Sequence, residues 1–233
     1  MEKETIILIP TLNECKNLEK LVPAIFEKMP EISVFIVDDN SKDGTGELVK
    51  NLQNIYKSLF FMERTENFGY GKACIDGFKW SLSKSFKYIV TMDADFSHDY
   101  QVIPEMLKQL DKCDIVIGSR YVTGGRIENW NFHRRILSKC ANLYVRVILG
   151  LRITDLTTGF NAYSGEAISR VNLDSIQSDG YAFLVELKYK LFKSGAKIVE
   201  YPITFYERRE GQSKMSSKII WESVKLPWKL LLS

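Results

Sequence analysis

The chain of 233 residues is 45% apolar and 26% charged, the composition of one large globular domain and not of a disordered, collagenous or staple-dependent chain. No apolar run reaches the roughly 18–20 residues of a membrane span, and the opening MEKETIILIPTLNE carries acids where a signal peptide has a basic n-region, so neither element is expected. The net charge of +3 is unevenly spread. Seven basic residues (Arg120, Arg126, Arg134, Arg135, Lys139, Arg146, Arg152) face the single acid Glu128 between positions 120 and 152, which points to an anionic partner: phosphate, nucleic acid or lipid headgroups.

In chain order, β-rich runs predict strands at Thr5–Pro10, Ser33–Asp38, Leu59–Glu63, Tyr88–Asp93 and Asp114–Ser119. Amphipathic stretches predict helices between them at Lys16–Met29, Gly46–Lys57, Lys72–Ser83 and Ile103–Leu110. IILI, VFIV and IVIG are continuous and not alternating, as strands buried on both faces should be. The expected fold is therefore α/β, a mostly parallel sheet with helices on both faces. Beyond Arg120 come a Gly/Thr-rich loop (Thr123–Gly125), a helix His133–Leu149, a polar turn Thr154–Gly159, a helix Ala182–Ser194 and a strand Lys197–Tyr206. Residues 218–233 interleave Trp221, Trp228 and Leu230–Leu232 with Lys218, Lys225 and Lys229. That pattern fits an amphipathic helix lying on an anionic membrane, with plain packing onto the domain as the alternative, and Pro227 is expected to kink or end it. The division is thus 1–217 for the main domain and 218–233 for the interface helix. Cys15, Cys74, Cys113 and Cys140 are spaced singly and read as reduced, buried small hydrophobes of a cytosolic protein.

In a parallel sheet of this kind ligands bind at the carboxyl ends of the strands. Asp93-Ala94-Asp95 follows the strand pattern YIVTM; two carboxylates at i and i+2 can converge on one hard divalent ion, Mg2+ or Mn2+, whose shell ligand phosphates complete. Alternatively Asp95, Ser97 or Asp99 caps the helix that follows. Asp38-Asp39 ends another strand, where Asp39 can accept from a ribose or base or else simply form a turn. Asn13-Glu14 after the first strand is a ligand pair or a helix cap. Arg120 closes a strand, Arg134-Arg135 open a helix, and Arg208 and Lys214 flank a glycine turn; arginine suits bidentate contact with phosphate. Gly69-Tyr-Gly71 lacks the third glycine of a dinucleotide fingerprint, no P-loop or GxSxG occurs, and no recognition helix or RNP pattern supports nucleic acid as the partner.

In this order along the chain, PTLNE, VDDNSKDGT, ENFGYGKA, MDADFSH, GSRY, DLTTGF and F-x-x-R-x-x-G-x-S-K-M at Phe205–Met215 resemble the family 2 (GT-A) glycosyltransferases, in their dolichol- or polyprenol-phosphate mannosyltransferase branch. The resemblance spans nearly the whole chain. It implies a GT-A, Rossmann-like fold with C-terminal amphipathic interface helices. It also implies that Pro10, Thr11, Glu14, Val37 and Asp39 hold the nucleotide of GDP-mannose, and that Asp93, Ala94 and Asp95 form the metal and diphosphate site. Arg120 and Arg134 would grip the phosphate of a dolichyl or polyprenyl acceptor, with Arg208 and Lys214 closing over the donor. Ser97 stands where some members place Gln as a further ligand.

The expected reaction is inverting transfer of mannose to a lipid phosphate at the cytoplasmic face of a membrane, by a peripheral enzyme. A phosphate oxygen is already ionised at neutral pH, so no general base is needed; cationic positioning and a metal on the leaving diphosphate suffice. UDP-glucose or UDP-N-acetylglucosamine is the alternative donor. A receiver-type phosphoswitch is the reading from another class; such modules are about half this length and leave the basic second half unexplained.

Overall fold

The computed structural model describes residues 1–207 and 217–232. Its strands are β1 (Thr5–Thr11), β2 (Ser33–Asp38), β3 (Leu59–Glu63), β4 (Tyr88–Thr91), β5 (Ile115–Ser119), β6 (Arg126–Ile127), β7 (Asn161–Ser164), β8 (Ile198–Pro202) and β9 (Thr204–Phe205). Its helices are α1 (Cys15–Lys28), α2 (Thr45–Ile55), α3 (Tyr70–Ser83), α4 (Ile103–Gln109), α5 (Phe132–Leu149), α6 (Gly165–Ser169), α7 (Gly180–Lys193) and α8 (Ser217–Leu232). Seven strands form one sheet in the order β3-β2-β1-β4-β7-β5-β8, and β6 pairs with β9 beside it.

The continuous apolar strands are explained by two cores. Ile6, Leu8, Phe35 and Val37 point into one, with α3, α5, α7 and α8. Ile7, Ile9, Val34 and Ile36 point into the other, under α1, α2 and α4. Period-2 alternation therefore still operates, but both faces are apolar. Helix α3 lies close on β1: a Cβ built on Gly77 would stand 2.3 Å from Leu8 Cδ1.

Three features depart from the sequence reading. Strand β7 runs antiparallel between β4 and β5; its NAYS is too short and polar at its ends to stand out as a strand. The strand expected at Lys197–Tyr206 is two pieces, because Ile203 turns out of β8 and leads Thr204–Phe205 onto β6 instead. Helix α8 continues through Pro227. Leu226 and Leu230 bury on either side of the proline, and the Val224 carbonyl accepts from Tyr144 Oη of α5 at 2.8 Å, which ties the helix to α5 one turn before the proline. All four cysteines are free, but the burial expected of them holds for Cys74 alone: Cys15 and Cys113 are half-buried and Cys140 is exposed on α5. No helix among the described residues is long and apolar enough to cross a membrane.

Candidate active site

The carboxyl ends of β1, β2 and β4 lie side by side, since β1 pairs in parallel with both neighbours. Here the chain turns by means of side chains that satisfy backbone amides. Asp38, buried, accepts from Ser41 N at 2.8 Å and from Ser41 Oγ, which makes it the turn former of the Asp38-Asp39 pair. Asn13 adopts φ 58°, a left-handed conformation that asparagine tolerates. It links β1 to the β2 turn by Asn13 N to Ser41 Oγ (2.7 Å) and Lys42 N to Asn13 Oδ1 (2.9 Å). Glu14 occupies the N-cap position of α1 and accepts from Asn17 Nδ2 at 2.6 Å. Pro10 and Thr11 end β1 opposite Val37 and Asp38.

Asp39 is gripped on both oxygens. Arg64 Nη1 binds one and Gly69 N donates to the other at 2.7 Å. Arg64 is itself buried and reaches Asp76 through Nε at 2.8 Å and Asn67 O through Nη2 at 2.6 Å. Burial opposes its charge, but the two aspartates outweigh it and raise its pKa above the ordinary value. Of the residues expected to touch a nucleotide, Val37 is buried without accessible surface. Its side chain belongs to the core that β1 and β2 share with α3.

Strand β4 ends at Thr91, two residues earlier than expected, so Asp93-Ala94-Asp95 forms the turn beyond it. Asp93 N donates to His98 Nδ1 at 3.0 Å, and Asp95 Oδ1 accepts from Ser97 N at 3.0 Å. The helix cap role belongs to Asp99, which accepts from Gln101 N. Burial pushes His98 below its ordinary pKa, against the pull of Asp93 and Asp95, in keeping with a neutral ring that accepts an amide proton. Asp93 keeps 30% of its side chain exposed, while Asp95 is buried. Ala94 is nearly covered, and Ser97 has no accessible surface; its amide donates to Asp95, while its hydroxyl is buried without a hydrogen-bond partner among the described residues. Gly159 comes from the polar turn against this site: a Cβ there would lie 2.7 Å from Tyr70 Oη and 3.5 Å from Asp93 Oδ1, so glycine leaves room for the Tyr70 hydroxyl beside the turn.

Among the described residues no group of three or more His, Cys, Asp or Glu side chains could hold a metal unaided. Two carboxylates, Asp93 and Asp95, in one turn are the donor type that suits a magnesium or manganese ion whose remaining ligands are phosphate oxygens and water.

The basic side is arranged otherwise. Arg120, at the end of β5, is only 6% exposed. Its Nε and Nη2 donate to the two oxygens of Asp155, each at 2.7 Å, and Nη2 also reaches Thr157 Oγ1 at 2.9 Å. Asp155 is held in turn: Glu200 of β8 accepts from Asp155 N (3.0 Å), Thr154 N (2.9 Å) and Thr154 Oγ1 (2.6 Å). Burial works against both charges of the Arg120–Asp155 pair, but each partner outweighs it, so Arg120 is raised and Asp155 lowered from the ordinary values. Beneath the turn, the fully buried Lys188 of α7 donates to Leu156 O (3.0 Å) and Thr158 O (2.7 Å), and burial depresses its pKa to about 7.

Arg120 and Arg134 flank one indole, their guanidinium carbons 5.6 Å and 3.9 Å from the Trp130 ring centre. Trp130 meets Phe205 edge-on at 5.3 Å, Phe205 meets His98 at 5.5 Å, and His98 stacks on Phe160 at 5.0 Å. This aromatic chain joins the arginines to the Asp93–Asp95 turn. Arg134 is half-exposed, with Glu207 at 3.4 Å, and Arg135 is exposed one position on. Arg208 and Lys214 lie outside the described residues. Arg64, His98, Asp155, Lys188 and Glu200 escaped the sequence reading as site builders. His98 and Asp155 stood inside the quoted motifs MDADFSH and DLTTGF, whereas Arg64, Lys188 and Glu200 carried no local signal.

Comparison with known proteins gives a consistent result. The chain is 40% identical to an undecaprenyl-phosphate mannosyltransferase of Micrococcus luteus over 94% of this chain and 90% of that protein. It is 40% identical to a polyprenol monophosphomannose synthase of Mycolicibacterium smegmatis, over 95% and 84%. With a dolichol-phosphate mannosyltransferase of Pyrococcus furiosus the identity is 37%, over 97% of this chain but 63% of that longer protein. Glucosyl-3-phosphoglycerate synthase of Mycobacterium tuberculosis, solved with Mn2+, UDP and phosphoglyceric acid, superposes with a TM-score of 0.67 at 16% identity, covering 98% of this chain and 77% of that one; at that identity the likeness speaks for a GT-A fold alone. The model of glycosyl transferase family 2 matches residues 6–171, and with relatives this similar over nearly its full length the chain belongs to that family of glycosyltransferases.

Proposed function

We propose that this glycosyltransferase moves mannose from GDP-mannose to the phosphate of a polyprenyl or dolichyl monophosphate, with inversion at the anomeric carbon. One observation carries the reading: the Asp93–Asp95 turn and the Arg120–Arg134 pair share a rim, joined by His98, Phe205 and Trp130. Acids for a metal-bound diphosphate and guanidiniums for a second anion are what joining two phosphate compounds requires. The names of the relatives supply the mannosyl group and the polyprenyl acceptor.

In this reading Pro10, Thr11, Asn13, Glu14 and Asp39 border the nucleotide. Asp93 and Asp95 hold Mg2+ or Mn2+, which when bound neutralises charge on the departing diphosphate. Arg134, with Arg135 beside it, receives the acceptor phosphate; Arg120, spent on Asp155, fixes the wall against which it lies. Arg208 and Lys214, outside the described residues, are assigned to the donor by the family resemblance alone. The acceptor oxygen is already anionic, so the rim supplies orientation and charge and not a base. A peripheral position on the cytoplasmic face of a membrane suits the lipid acceptor. On α5, Phe132, Ile136, Cys140, Leu143 and Val147 form one exposed stripe at helical spacing, and Trp228, Leu231 and Leu232 of α8 are exposed nearby in the 218–233 segment.

The test is to incubate the full chain with sugar-labelled GDP-mannose, polyprenyl phosphate and Mg2+ or Mn2+. Label should enter the organic phase, with GDP released and a divalent ion required. Transfer from UDP-glucose or UDP-N-acetylglucosamine in its place would reassign the donor, and no transfer from any of them would end the proposal.

A further inference from the structure

A second anion-receiving feature lies behind the Arg120–Asp155 pair. Tyr121, Lys139, Asn142, Leu143, Arg146 and Thr154 line a groove of about 230 Å³. Its two cations sit seven residues apart on α5, two turns along one face. Among the described residues neither has an ion-pair partner; Lys139 lies 5.9 Å from the Tyr121 ring centre. Two cations on the α5 side of a groove, without an ion-pair partner among the described residues, make it complementary to a phosphate. The groove is not an isolated surface dent, because its floor is shared with the rim: Asn142 Nδ2 donates to Thr157 Oγ1 at 3.1 Å, the atom that also receives Arg120 Nη2.

Its position on the helix selects the kind of phosphate. At 100° per residue, Phe132, Ile136, Cys140, Leu143 and Val147 share one stripe, Asn142, Val145 and Leu149 form the buried face, and Lys139 and Arg146 fall on the border between them. Leu143, 58% exposed, belongs to both stripe and groove. A helix lying in a membrane interface places its apolar stripe among acyl chains and the cations at its border at the level of the phosphates.

We propose that this groove binds the phosphodiester headgroup of an acidic membrane phospholipid, a site separate from those for donor and acceptor. The inference rests on the membrane reading given above and adds to it a specific contact. An adjacent acyl chain lies along Leu143 and Val147, and a net-negative headgroup is preferred because a choline ammonium would face Lys139 and Arg146.

Three measurements test it. In the first, monomeric dihexanoylphosphatidylglycerol is titrated into the full chain, with dihexanoylphosphatidylcholine and inorganic phosphate as comparison ligands. The expected result is saturable binding of one phosphatidylglycerol, weakened at least about tenfold in Lys139→Gln/Arg146→Gln and kept in Lys225→Gln/Lys229→Gln, which removes equal charge from α8. Equal losses in both variants would mean diffuse attraction and overturn the site. Inorganic phosphate binding as tightly as the lipid would overturn the lipid assignment. In the second, sedimentation with phosphatidylglycerol vesicles separates the two levels of the proposal. Wild type failing to bind any vesicle would end the membrane reading and this site together; wild type binding while the groove variant binds equally well would end this site alone. Turnover of a water-soluble short prenyl phosphate should be unchanged in the groove variant. A rise in its KM to match the lost lipid binding would instead make the groove part of the acceptor site.

Discussion

On the β1–β2–β4 side of the rim, three carboxylates are held by amides and hydroxyls two or three residues away, Asp38 by Ser41, Asp95 by Ser97 and Asp99 by Gln101, while Asp39 is held from 25 and 30 residues away by Arg64 and Gly69. On the β5–α5 side a buried arginine is held by Asp155, 35 residues on, whose turn is held by Glu200 another 45 residues on. The local arrangement lets a carboxylate change partners at little cost, which suits the role proposed for Asp95 toward a metal-bound diphosphate. The second fixes a charge in place by interlocking it with distant parts of the fold, which suits a wall and not a gate. Removing a carboxylate should therefore destroy activity on the first side and stability on the second.

The largest effect is expected from Asp155→Asn. It leaves the Arg120 guanidinium buried without its counter-charge, a change that costs about 3–5 kcal/mol. Denaturant unfolding should show the loss with the slope unchanged, and wild-type stability in this variant would mean that the pair is not part of the folded framework. Asp95→Asn should behave oppositely. Its unfolding midpoint should stay close to wild type, while kcat falls by on the order of 10²–10³, the scale of losing one charge-stabilising group at a reacting centre. Single-turnover measurement at saturating donor and metal separates that from weak binding; near-normal turnover would remove Asp95 from the chemistry. Arg134→Ala comes next. Half-exposed beside Trp130, it should contribute about 1.5–3 kcal/mol to acceptor binding, or roughly 10- to 100-fold in the acceptor KM, with the donor KM unmoved. Equal effects on both substrates would contradict its placement on the acceptor side.

The same contrast explains what could be read from the sequence. The parallel strands stood out because their apolar runs are continuous, and Ser33–Asp38 and Leu59–Glu63 have the bounds expected of them. The acidic rim was visible because each acid directly follows such a run, in a fold whose strand ends are known to meet. Arg120 was visible as a cation, but not as a buried one. Its burial depends on Asp155, and nothing near Arg120 in the chain announces that partner. Strand β7 was hidden for a similar reason: it is defined by lying between β4 and β5 and not by its own four residues. Pro227 misled because local backbone chemistry argues for a break, whereas Leu226 and Leu230 on either side of it gain a core.

Lys188 is the extreme case of a residue with no local signal, and it gives the finest test of the contrast. In FLVELKYKLFK it reads as one of several lysines on an amphipathic helix, yet it alone is fully buried there. Asp155 and Glu200 favour its charge and Arg120 opposes it, but burial dominates and sets its pKa at about 7. A neutral amine has two N–H donors, and the Leu156 and Thr158 carbonyls take both. Lysine in the unfolded chain titrates near 10.4. Between that value and about 7, the unfolded state therefore binds the additional proton, and stability must rise with pH. The cost of burying the charged amine is felt in full below the window and relieved across it, at up to about 1.4 kcal/mol per pH unit. The stability of wild type minus that of Lys188→Met, followed by denaturant unfolding from pH 7 to pH 9, should climb with that sign. The same difference taken against Lys188→Gln should climb in parallel, since neither replacement titrates. A flat difference would mean that the lysine stays charged in the fold, and that the turn carrying Asp155 is held by an ammonium and not by an amine.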